Sequence, residues 1–476
     1  MYVSVRSKFV LALLAATAWA VLSTWLARPW FADLRSLVGL PSALFLIGGI
    51  AIIPGFMNAF LLSGLVLDKR PVRKPLERYP PLTILVAAYN EAAAIADTLA
   101  SIAAQGYPAD LQVIVANDGS TDLTAQIVRG CEAQYPWLTL LDIKRNAGKA
   151  SALNRALALA KHDLVLTVDG DSYLYRDALK CIVERYLQDP PNTRAVAGAV
   201  LVRNSRTNWV TRVQEWDYFH GIAAIKRVQS LFQGTLVAQG AFSLYDRATL
   251  VAVRGWPECV GEDIVLTWAI LKAGYRVGHC EDALLFTNAP TTVKQLIGQR
   301  KRWSRGMVEA FKAHPTMLIK PQLPTCFVWW NLLFPWLDLA FTLGFIPGIV
   351  LALFGHFWIA GPVTLALLPL GFGMNWLMYR VEVQMFRARG LKVRRNTSGL
   401  VLYVLVYSFI LQPASVLGYV AEIFNMRKTW GTKPVPKAVT TALPKAAPKP
   451  LAKTVPKSLP KPARKPVLEP AEEQWR

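Results

Sequence analysis

Five stretches of the 476-residue chain carry almost no charge, and their length constrains the fold more than any other feature of the sequence. A helix needs about 20 apolar residues to cross the hydrocarbon core of a bilayer. Each stretch reaches that length, and only the third contains a charge, Asp338; they are residues 9–27, 41–67, 326–355, 357–379 and 398–421. The sequence therefore predicts two transmembrane helices, a large polar insert and about three more helices, divided as residues 1–78, 79–320 and 321–425.

The first stretch, residues 9–27, follows Arg6 and Lys8 and so has the beginning of a secretory signal peptide. Its apolar run is longer than that of a usual signal peptide, and a second apolar stretch follows closely. We therefore interpret it as a retained membrane anchor.

Lysine and arginine near the apolar stretches predict the orientation of the chain in the membrane. They are dense in residues 68–78, after the second stretch, and in residues 379–395, between the fourth and the fifth. Such segments usually stay in the cytoplasm, which places the polar insert inside the cell. The insert holds four of the five cysteines, and none has a paired spacing, as expected in a reducing compartment.

The tail, residues 426–476, has a different composition. From Arg427 onward it has 12 Lys and Arg against three Glu, a charge of +9 within the total of +22, and ten prolines follow Gly431. This composition predicts a disordered, extended segment. Positive charge favours the cytoplasm, whereas five crossings would place the tail outside; Pro413 would also allow a re-entrant last stretch, so its side stays open. No nucleic-acid motif accompanies the basic charge, and we expect no nucleic-acid partner.

The polar insert alternates strand and helix patterns, which predicts an α/β domain with a mostly parallel sheet and helices on both faces. Polar clusters follow three of the predicted strands, at residues 89–91, 117–120 and 169–171. Ligands of such sheets bind beyond the carboxyl ends of the strands. No G-x-G-x-x-G motif follows the first strand, so a dinucleotide cofactor is not expected.

Asp169 and Asp171 stand one residue apart at the end of a buried strand pattern, where their charges would repel each other. A divalent cation, Mg²⁺ or Mn²⁺, would neutralise the pair; the alternative is that they cap the next helix or face water. Asp118 similarly could accept hydrogen bonds from a base or ribose, or cap a helix. Lys149 stands at a helix start, where it would meet a phosphate or remain solvated.

Two further segments carry candidate functional residues. Glu262 and Asp263 precede an apolar helical run, where a carboxylate could cap the helix or act as general base toward an acceptor hydroxyl. In IGQRKRWSRGM, Gln299, Arg302 and Trp303 share one helix face because they lie at positions i, i+3 and i+4. We interpret this helix as lying on the membrane surface while its Arg and Trp reach a site.

Seven motifs in order resemble the membrane-embedded, processive family 2 glycosyltransferases, which include the cellulose, hyaluronan, chitin and poly-N-acetylglucosamine synthases. They are AAYNE, NDGSTD, NAGKASALN, DGDS, QGAFSLY, GED and QRKRW, and they cover about residues 81–311. The resemblance implies a GT-A (Rossmann-like) α/β domain inserted between transmembrane helices, a UDP-sugar donor, Mg²⁺ or Mn²⁺, and inversion at the anomeric carbon.

The resemblance also implies a role for individual residues. Donor-binding residues would be Tyr89, Glu91 and Asp118 at the uridine, Lys149 near the donor, Asp169 at the nucleotide and Arg302 at the diphosphate. Asp171 would bind the metal and Asp263 would be the catalytic base. Gln299 and Trp303 would border the acceptor. The first motif departs from many relatives in having Ala88 where they have a hydroxyl or Cys, which puts some donor contacts in doubt.

QRKRWSRGM resembles the cellulose and poly-N-acetylglucosamine branches more than the hyaluronan branch, and the tail is too poor in apolar residues to form the additional domain usual in the cellulose branch. By resemblance we expect a bacterial poly-N-acetylglucosamine synthase of the inner membrane. Its expected partners are a growing polysaccharide, membrane lipid and a small membrane subunit. One alternative is a cellulose-, hyaluronan- or chitin-type synthase using another UDP-sugar. Another is a non-processive transferase that makes a glycolipid, although such enzymes usually lack this helix. A non-enzymatic scaffold is disfavoured because Asp169, Asp171 and Asp263 are all present.

Overall fold

The computed structural model describes residues 3–70, 73–388, 390–427, 429–430 and 433–434. The predicted disordered tail, residues 426–476, therefore lies almost entirely outside the described residues. The strands are β1 Leu82–Ala88, β2 Leu111–Asp118, β3 Leu138–Ile143, β4 Leu164–Asp169, β5 Tyr173–Leu174, β6 Thr193–Val202, β7 Phe242–Asp246, β8 Arg276–Thr287, β9 Thr429–Trp430 and β10 Lys433–Pro434.

Helices connect these strands and flank them on both sides in sequence. They are α1 Val5–Leu26, α2 Arg28–Val38, α3 Leu40–Leu67, α4 Ile95–Ala103, α5 Thr124–Glu132, α6 Lys149–Ala158, α7 Ala178–Gln188, α8 Trp209–Trp216, α9 Ile225–Leu231, α10 Arg247–Ala252, α11 Glu262–Lys272, α12 Val293–Ala313, α13 Thr325–Leu353, α14 Pro362–Ala388 and α15 Thr397–Ile423. A π-helical segment, Asp217–Ala224, joins α8 to α9, and a short 3₁₀ helix, Pro315–Leu318, follows α12.

Eight strands form one sheet in the order β3-β2-β1-β4-β7-β6-β8-β5. β1, β2, β3 and β4 are parallel, as the alternating strand and helix patterns predict. β7 runs antiparallel to both β4 and β6, and β5 runs antiparallel to β8, so the sheet is mixed although its other six strands share one direction. The chain reaches β7 through α8 and α9 and enters the sheet from the opposite end, and the residues of β7 carry no signal of that direction.

Apolar residues of the central strands alternate between two cores, one on each face of the sheet. Leu85 of β1 and Ile114 of β2 belong to the core that continues into the flanking helices. Their neighbours Ile84 and Val113 belong to the opposite core, which α4 and α7 cover. Successive side chains of a strand point to opposite faces, so a strand covered on both faces must be apolar throughout.

Four helices within the described residues are long and apolar enough to cross a membrane: α1, α3, α13 and α15. The sequence predicts five. The stretch 357–379 does form a helix, α14, but Pro369 and Asn375 interrupt its apolar run and charged residues fill its last turns. Its crossing of the membrane stays a prediction.

α1 and α3 pack side by side, and the start of one lies beside the end of the other. Lys8 near the start of α1 donates from Nζ to the Lys69 carbonyl oxygen, 3.3 Å away, just after α3 ends. The rings of Phe9, Phe60 and Phe232 pack together near the same place, and Phe232 belongs to the polar domain. This end of the helix pair therefore adjoins the domain.

Candidate active site

The carboxyl ends of β1 and β4 bring two of the predicted polar clusters into contact. The Gly170 amide donates to the Ala87 carbonyl oxygen at 3.0 Å. A Cβ atom added to Gly170 would lie 3.1 Å from both the Ala87 carbonyl oxygen and Glu91 Cγ, so a larger residue would require these neighbours to shift. Glu91 therefore adjoins the segment that carries Asp169 and Asp171.

The turn after β1 holds Tyr89, which is partly buried, and is fixed by the turn after β2. Asn90 has a φ of 57°, and its side-chain oxygen accepts a hydrogen bond from the Thr121 amide at 2.7 Å. Asparagine tolerates this left-handed conformation better than most residues. Asp122 accepts from the Thr124 amide at 3.0 Å at the start of α5. Asp122, not Asp118, is therefore the carboxylate that accepts a hydrogen bond from the first residue of that helix.

Asp118 shapes the loop that begins α6. Its two carboxylate oxygens accept hydrogen bonds from the amides of Ala147 and Gly148, at 2.9 and 2.8 Å. Burial raises the pKa of the Asp118 carboxyl, and these two amides act in the opposite direction. The loop in turn places Lys149 as the first residue of α6, as predicted.

Lys149 links a strand end to the start of a distant helix. Its Nζ pairs with Asp169 and lies 3.9 Å from Glu262 Oε1. Burial lowers the pKa of the lysine, but the carboxylates of Asp169, Glu262 and Asp263 outweigh burial and hold it above its ordinary value. The same charge cluster acts on Glu262, whose pKa burial and Asp263 raise to about 7, while Lys149 and Arg302 oppose that rise. Arg302 therefore lies near enough to this cluster for its charge to lower the pKa of Glu262.

Asp171 is the remaining carboxylate at the end of β4. It accepts a hydrogen bond from Thr287 at 3.3 Å, and burial and the charge of Asp169 raise its pKa to about 6. In the described part of the chain no group of three or more His, Cys, Asp or Glu side chains could hold a metal. Mg²⁺ is usually held by one or two carboxylates together with substrate phosphates. Burial and the charge of Asp169 disfavour the ionised form of Asp171, and a bound cation would stabilise it. Asp171 is therefore a suitable ligand for such a cation.

Asp263 occupies the first turn of α11 and faces the end of the segment before β7. Its carboxylate accepts from the Gly240 amide at 3.4 Å and from the Ile264 amide at 2.8 Å. A Cβ atom on Gly240 would lie 2.9 Å from Lys149 Nζ, so Asp263 and Lys149 approach the same short stretch of backbone. The amides of a helix start favour a negative charge there.

α11 and α12 cross closely at two glycines. A Cβ atom on Gly261 would lie 2.4 Å from the Gly306 Cα, and the Gly261 amide donates to Glu309 Oε2 at 2.8 Å. This contact fixes the start of α11, with Asp263, against the helix that carries Gln299 and Trp303. The structure thus brings the predicted base and the predicted acceptor residues to neighbouring elements.

Asp217 and Tyr218 of the π-helical segment contact the part of α12 that carries Gln299 and Trp303. Gln299 donates to the Tyr218 hydroxyl at 3.4 Å, and the Trp303 ring, 36% exposed, lies 6.3 Å from the ring of Tyr218. The Arg300 guanidinium lies 4.0 Å from the centre of the Trp303 ring and pairs with Asp217 at 2.7 Å. The Trp303 ring therefore packs against Arg300, and part of the ring remains exposed to solvent.

Sequence reasoning assigned no role to Asp217, Tyr218 or Arg300. Their signal is weak, because Asp217 and Tyr218 lie about 80 residues before α12 and only the fold brings them to it. An acid in the aromatic run EWDYFH and a second arginine in QRKRW are the only hints in the sequence. The sequence places Glu262 beside Asp263, but it does not indicate the contact of Glu262 with Lys149.

Residues 80–306 match the family model described as "Glycosyltransferase like family 2". The chain carries a family 2 glycosyltransferase domain. The predicted family and enzyme class are thereby confirmed. The roles assigned to individual residues of this glycosyltransferase stay predictions.

Curated relatives share the domain at moderate identity. The chain is 31% identical over 264 residues to a protein of Staphylococcus aureus named poly-beta-1,6-N-acetyl-D-glucosamine synthase. The matched region covers 53% of this chain and 63% of the relative. A protein of the same name from Staphylococcus epidermidis is 29% identical over the same length. The chain thus matches less than two thirds of the length of these relatives.

A solved structure supports the fold of the glycosyltransferase. A mannosyltransferase from Pyrobaculum calidifontis, solved in complex with GDP-Man and Mn²⁺, superposes with a TM-score of 0.55 at 21% identity, covering 83% of this chain and 99% of that one. The predicted GT-A fold is confirmed, and four candidate membrane-spanning helices flank it in the described residues.

Proposed function

We propose that this glycosyltransferase is a processive, inverting polysaccharide synthase that uses a UDP-sugar, UDP-N-acetylglucosamine. The observation that carries the proposal is the double contact of Lys149 with Asp169 and Glu262. It joins the strand end predicted to bind the donor to the helix start that holds the predicted base, Asp263. Relatives named as poly-N-acetylglucosamine synthases support the choice of sugar.

Asp263 acts as the general base. Its carboxylate takes the proton of an acceptor hydroxyl, whose oxygen then forms a bond to the anomeric carbon of the donor. The bond from that carbon to the diphosphate breaks on the opposite face, and UDP leaves with the electron pair. The product has the inverted configuration, and no covalent enzyme intermediate is needed.

Asp171 would hold Mg²⁺ or Mn²⁺ together with the donor diphosphate, and the bound cation would supply Lewis-acid stabilisation of the leaving group. Arg302 and Lys149 add positive charge on the same side of the donor. Tyr89, Glu91 and Asp118 border the nucleotide, Asp118 through the loop that it fixes.

Trp303 holds the growing chain. The C–H faces of sugar rings pack on an indole, and the ring of Trp303 is exposed on one side and supported by Arg300 on the other. Gln299 beside it offers an amide for sugar hydroxyls. Keeping the product bound between additions is what distinguishes a processive enzyme from one that makes a glycolipid.

Synthesis is coupled to export across the inner membrane, with the catalytic domain in the cytoplasm. The first residues of α13 belong to the domain core that also contains Met307 and Ala310 of α12, so an apolar helix long enough to cross the membrane continues directly from the domain. Polar groups inside the apolar helices favour a hydrophilic path, since Asp338 of α13 accepts a hydrogen bond from the Tyr419 hydroxyl at 2.7 Å.

Product analysis in sealed vesicles tests the proposal. Vesicles with the domain facing outward would receive labelled UDP-sugars one at a time, and the products would be sized and digested with specific glycosidases. We expect long polymer from UDP-N-acetylglucosamine only, accumulating in the lumen and protected from glycosidase until detergent is added. Lipid-linked short products would establish the glycolipid alternative, and polymer digestible without detergent would exclude coupled export.

A further inference from the structure

Lys226 is a buried lysine of α9 to which the proposed function assigns no task. It is 8% exposed, and its amine makes no hydrogen bond or ion pair in the part of the chain that the structure describes. A buried charge is costly unless it is paired, and a lysine whose charge is disfavoured by burial can serve as a base. The groups around this amine therefore indicate what it does.

A short segment of backbone connects the position of Lys226 with that of Asp263. The carbonyl oxygen of Lys226 accepts a hydrogen bond from Thr235 Oγ1 at 3.3 Å, and further along the same segment the Gly240 amide donates to the Asp263 carboxylate at 3.4 Å. Apolar residues of α9 and α11 also belong to one core. Lys226 therefore approaches the start of α11 from the interior of the domain.

Asp263 is the acid whose charge acts on the Lys226 amine. Burial lowers the pKa of this amine to about 7, and Asp263 acts in the opposite direction. Other charged groups on the elements around α9 are paired elsewhere: Asp68 with Arg70 and Arg227, Glu281 with Arg70 and Arg185, Arg276 with Asp189, Asp217 with Arg300 and Glu262 with Lys149. Asp263 is therefore the acid that is placed to exchange a proton with Lys226.

Three titratable neighbours are neutral near pH 7. Burial lowers the pKa of His220 and of His279 to about 3, with a smaller contribution from the charge of Lys226 at His279, and burial raises the pKa of Tyr245. A neutral His279 donates from Nδ1 to the Ala197 carbonyl oxygen at 3.1 Å, so its lone pair is on Nε2. Within the described residues this Nε2 has no hydrogen-bond partner, and an ammonium at Lys226 would supply one.

We propose that the Lys226 amine takes up the proton that Asp263 removes from the acceptor hydroxyl, and so restores the base before the next addition. The proton moves from a carboxyl oxygen of Asp263 to the lone pair of Lys226 Nζ, which leaves a carboxylate and an ammonium. The ammonium donates to His279 Nε2, directly or through a water molecule, until it gives the proton to solvent and becomes an amine again. Lys226 acts through Asp263 and does not touch the substrate.

This role rests on the proposed function, because it requires Asp263 to be the base; it does not depend on which sugar is transferred. A proton acceptor works best when its pKa lies near the working pH, and burial gives the Lys226 amine such a pKa. The neutral fraction of the amine rises with pH through about 7. Turnover of the wild type should rise over the same range.

Two substitutions of Lys226 separate a proton acceptor from a positive charge. Lys226→Met removes the amine, and Lys226→Arg keeps a charge but offers no lone pair, because a guanidinium does not lose its proton in proteins. Both should lower turnover, measured as UDP release, by about 10²-fold and abolish its rise through pH 7. Lys272→Met, at an exposed position of α11, is the control and should behave as wild type. Wild-type turnover in either Lys226 variant would overturn the proposal.

Added amines test the same step by rescue. Lys226→Ala leaves space for a small alkylamine, so ethylamine should restore turnover, and the restored rate should follow the concentration of its neutral form. Tetramethylammonium carries the same charge without a lone pair or a proton to transfer, and it should restore nothing. Equal rescue by both compounds would mean that charge or volume alone matters at this position.

Stability distinguishes this role from a purely structural one. The pKa of the Lys226 amine is lowered from 10.5 to about 7 in the folded protein, so its burial destabilises the fold fully below pH 7 and progressively less as the pH rises toward 10.5. Lys226→Met should therefore have a higher Tm than wild type at pH 6, and the difference should shrink at higher pH. A lower Tm together with lower turnover would show that Lys226 only supports the fold.

A double substitution separates failure of this role from failure of the proposed function. In the Asp263→Asn background, Lys226→Met should lower turnover no further, because the proton is no longer delivered to the amine. Slow Asp263→Asn with a further loss in the double variant would overturn the role of Lys226 alone. Normal turnover of Asp263→Asn would overturn the proposed base and this role with it.

Discussion

Two regions of the site are built in different ways. The donor side, Asp118, Lys149, Asp169 and Asp171, lies at strand ends and helix starts of a parallel half-sheet, and its spacing follows from strand register. The acceptor side, Gln299 and Trp303, lies on a helix held by a π-helical segment and by α15. The predicted donor side is local to one sheet, whereas the predicted acceptor side depends on contacts between distant segments.

This difference predicts different responses to substitution. On the donor side the proposed function gives Asp171 and the adjoining base Asp263 separate chemical tasks, so single changes there should abolish catalysis while the fold is kept. On the acceptor side the exposed ring depends on a buried ion pair, and changes there should alter product length and stability together. Five substitutions test this contrast, from the largest expected effect to the smallest.

Asp171→Asn should lower transfer by at least about 10³-fold with the protein still folded, because it removes the carboxylate that fits a cation, whose Lewis-acid stabilisation is worth several kcal/mol. The rate of UDP release measures it. Asp177→Asn, an exposed carboxylate on the same segment, is the matched control and should retain activity. EDTA should inactivate wild type, and Mg²⁺ or Mn²⁺ should restore it. Activity that persists in Asp171→Asn or in excess EDTA would refute the metal.

Asp263→Asn should lower turnover by about 10²–10⁴-fold, the usual contribution of a general base. UDP binding, measured by calorimetry, should stay near that of wild type, because the hydrogen bonds of the Asp263 carboxylate come from the backbone amides of Gly240 and Ile264. Parallel loss of binding and rate would mean that Asp263 only supports the start of α11.

The same contrast explains how much could be predicted from the sequence. The position of Asp169 and Asp171 at the end of β4 could be predicted because a buried strand ending in acids is a local pattern, and parallel strands bring their ends together. The antiparallel β7 and the partners of Trp303 were not found, since direction in the sheet and a contact over 83 residues leave no periodic signal. The length of the apolar stretches predicts the flanking helices, but it carries no information on the contact between α15 and α12 at Gly418 and Ser304.

Trp303→Ala should release short oligomers or free UDP in place of long polymer, because the chain loses its platform between additions. The KM for the donor should change little. Trp209→Ala, which removes another exposed tryptophan of the same domain, is the control and should give polymer of normal length. Product sizing by gel filtration measures both variants. Normal polymer from Trp303→Ala would place the acceptor elsewhere.

Asp217→Asn should destabilise the protein by about 3–5 kcal/mol, since it leaves Arg300 buried without its partner. Shorter polymer should accompany the loss, because Arg300 supports the Trp303 ring. Asp97→Asn breaks an exposed pair with Arg203 and should cost at most about 1 kcal/mol. Thermal unfolding in detergent compares the two variants.

Adding Arg300→Met to Asp217→Asn removes the unpaired charge and should recover part of the stability without recovering polymer length. Recovery of both would show that the ion pair serves the fold alone and has no part in supporting Trp303.

Glu262→Gln tests the point where the two sides meet, and its expected effect is the smallest. Burial and Asp263 raise the pKa of the Glu262 carboxyl from 4.5 to about 7, so between these values the folded protein holds a proton that the unfolded chain has lost. Stability from this group is complete below pH 4.5 and decreases as the pH rises through about 7. Relative to wild type, Glu262→Gln should therefore gain stability across that window and be unchanged below it. Glu258→Gln, an exposed acid four residues earlier, should show no such trend. A pH-independent difference between Glu262→Gln and wild type would mean that Lys149 keeps Glu262 ionised, and that donor and acceptor sides are joined by a permanent ion pair instead of a titrating one.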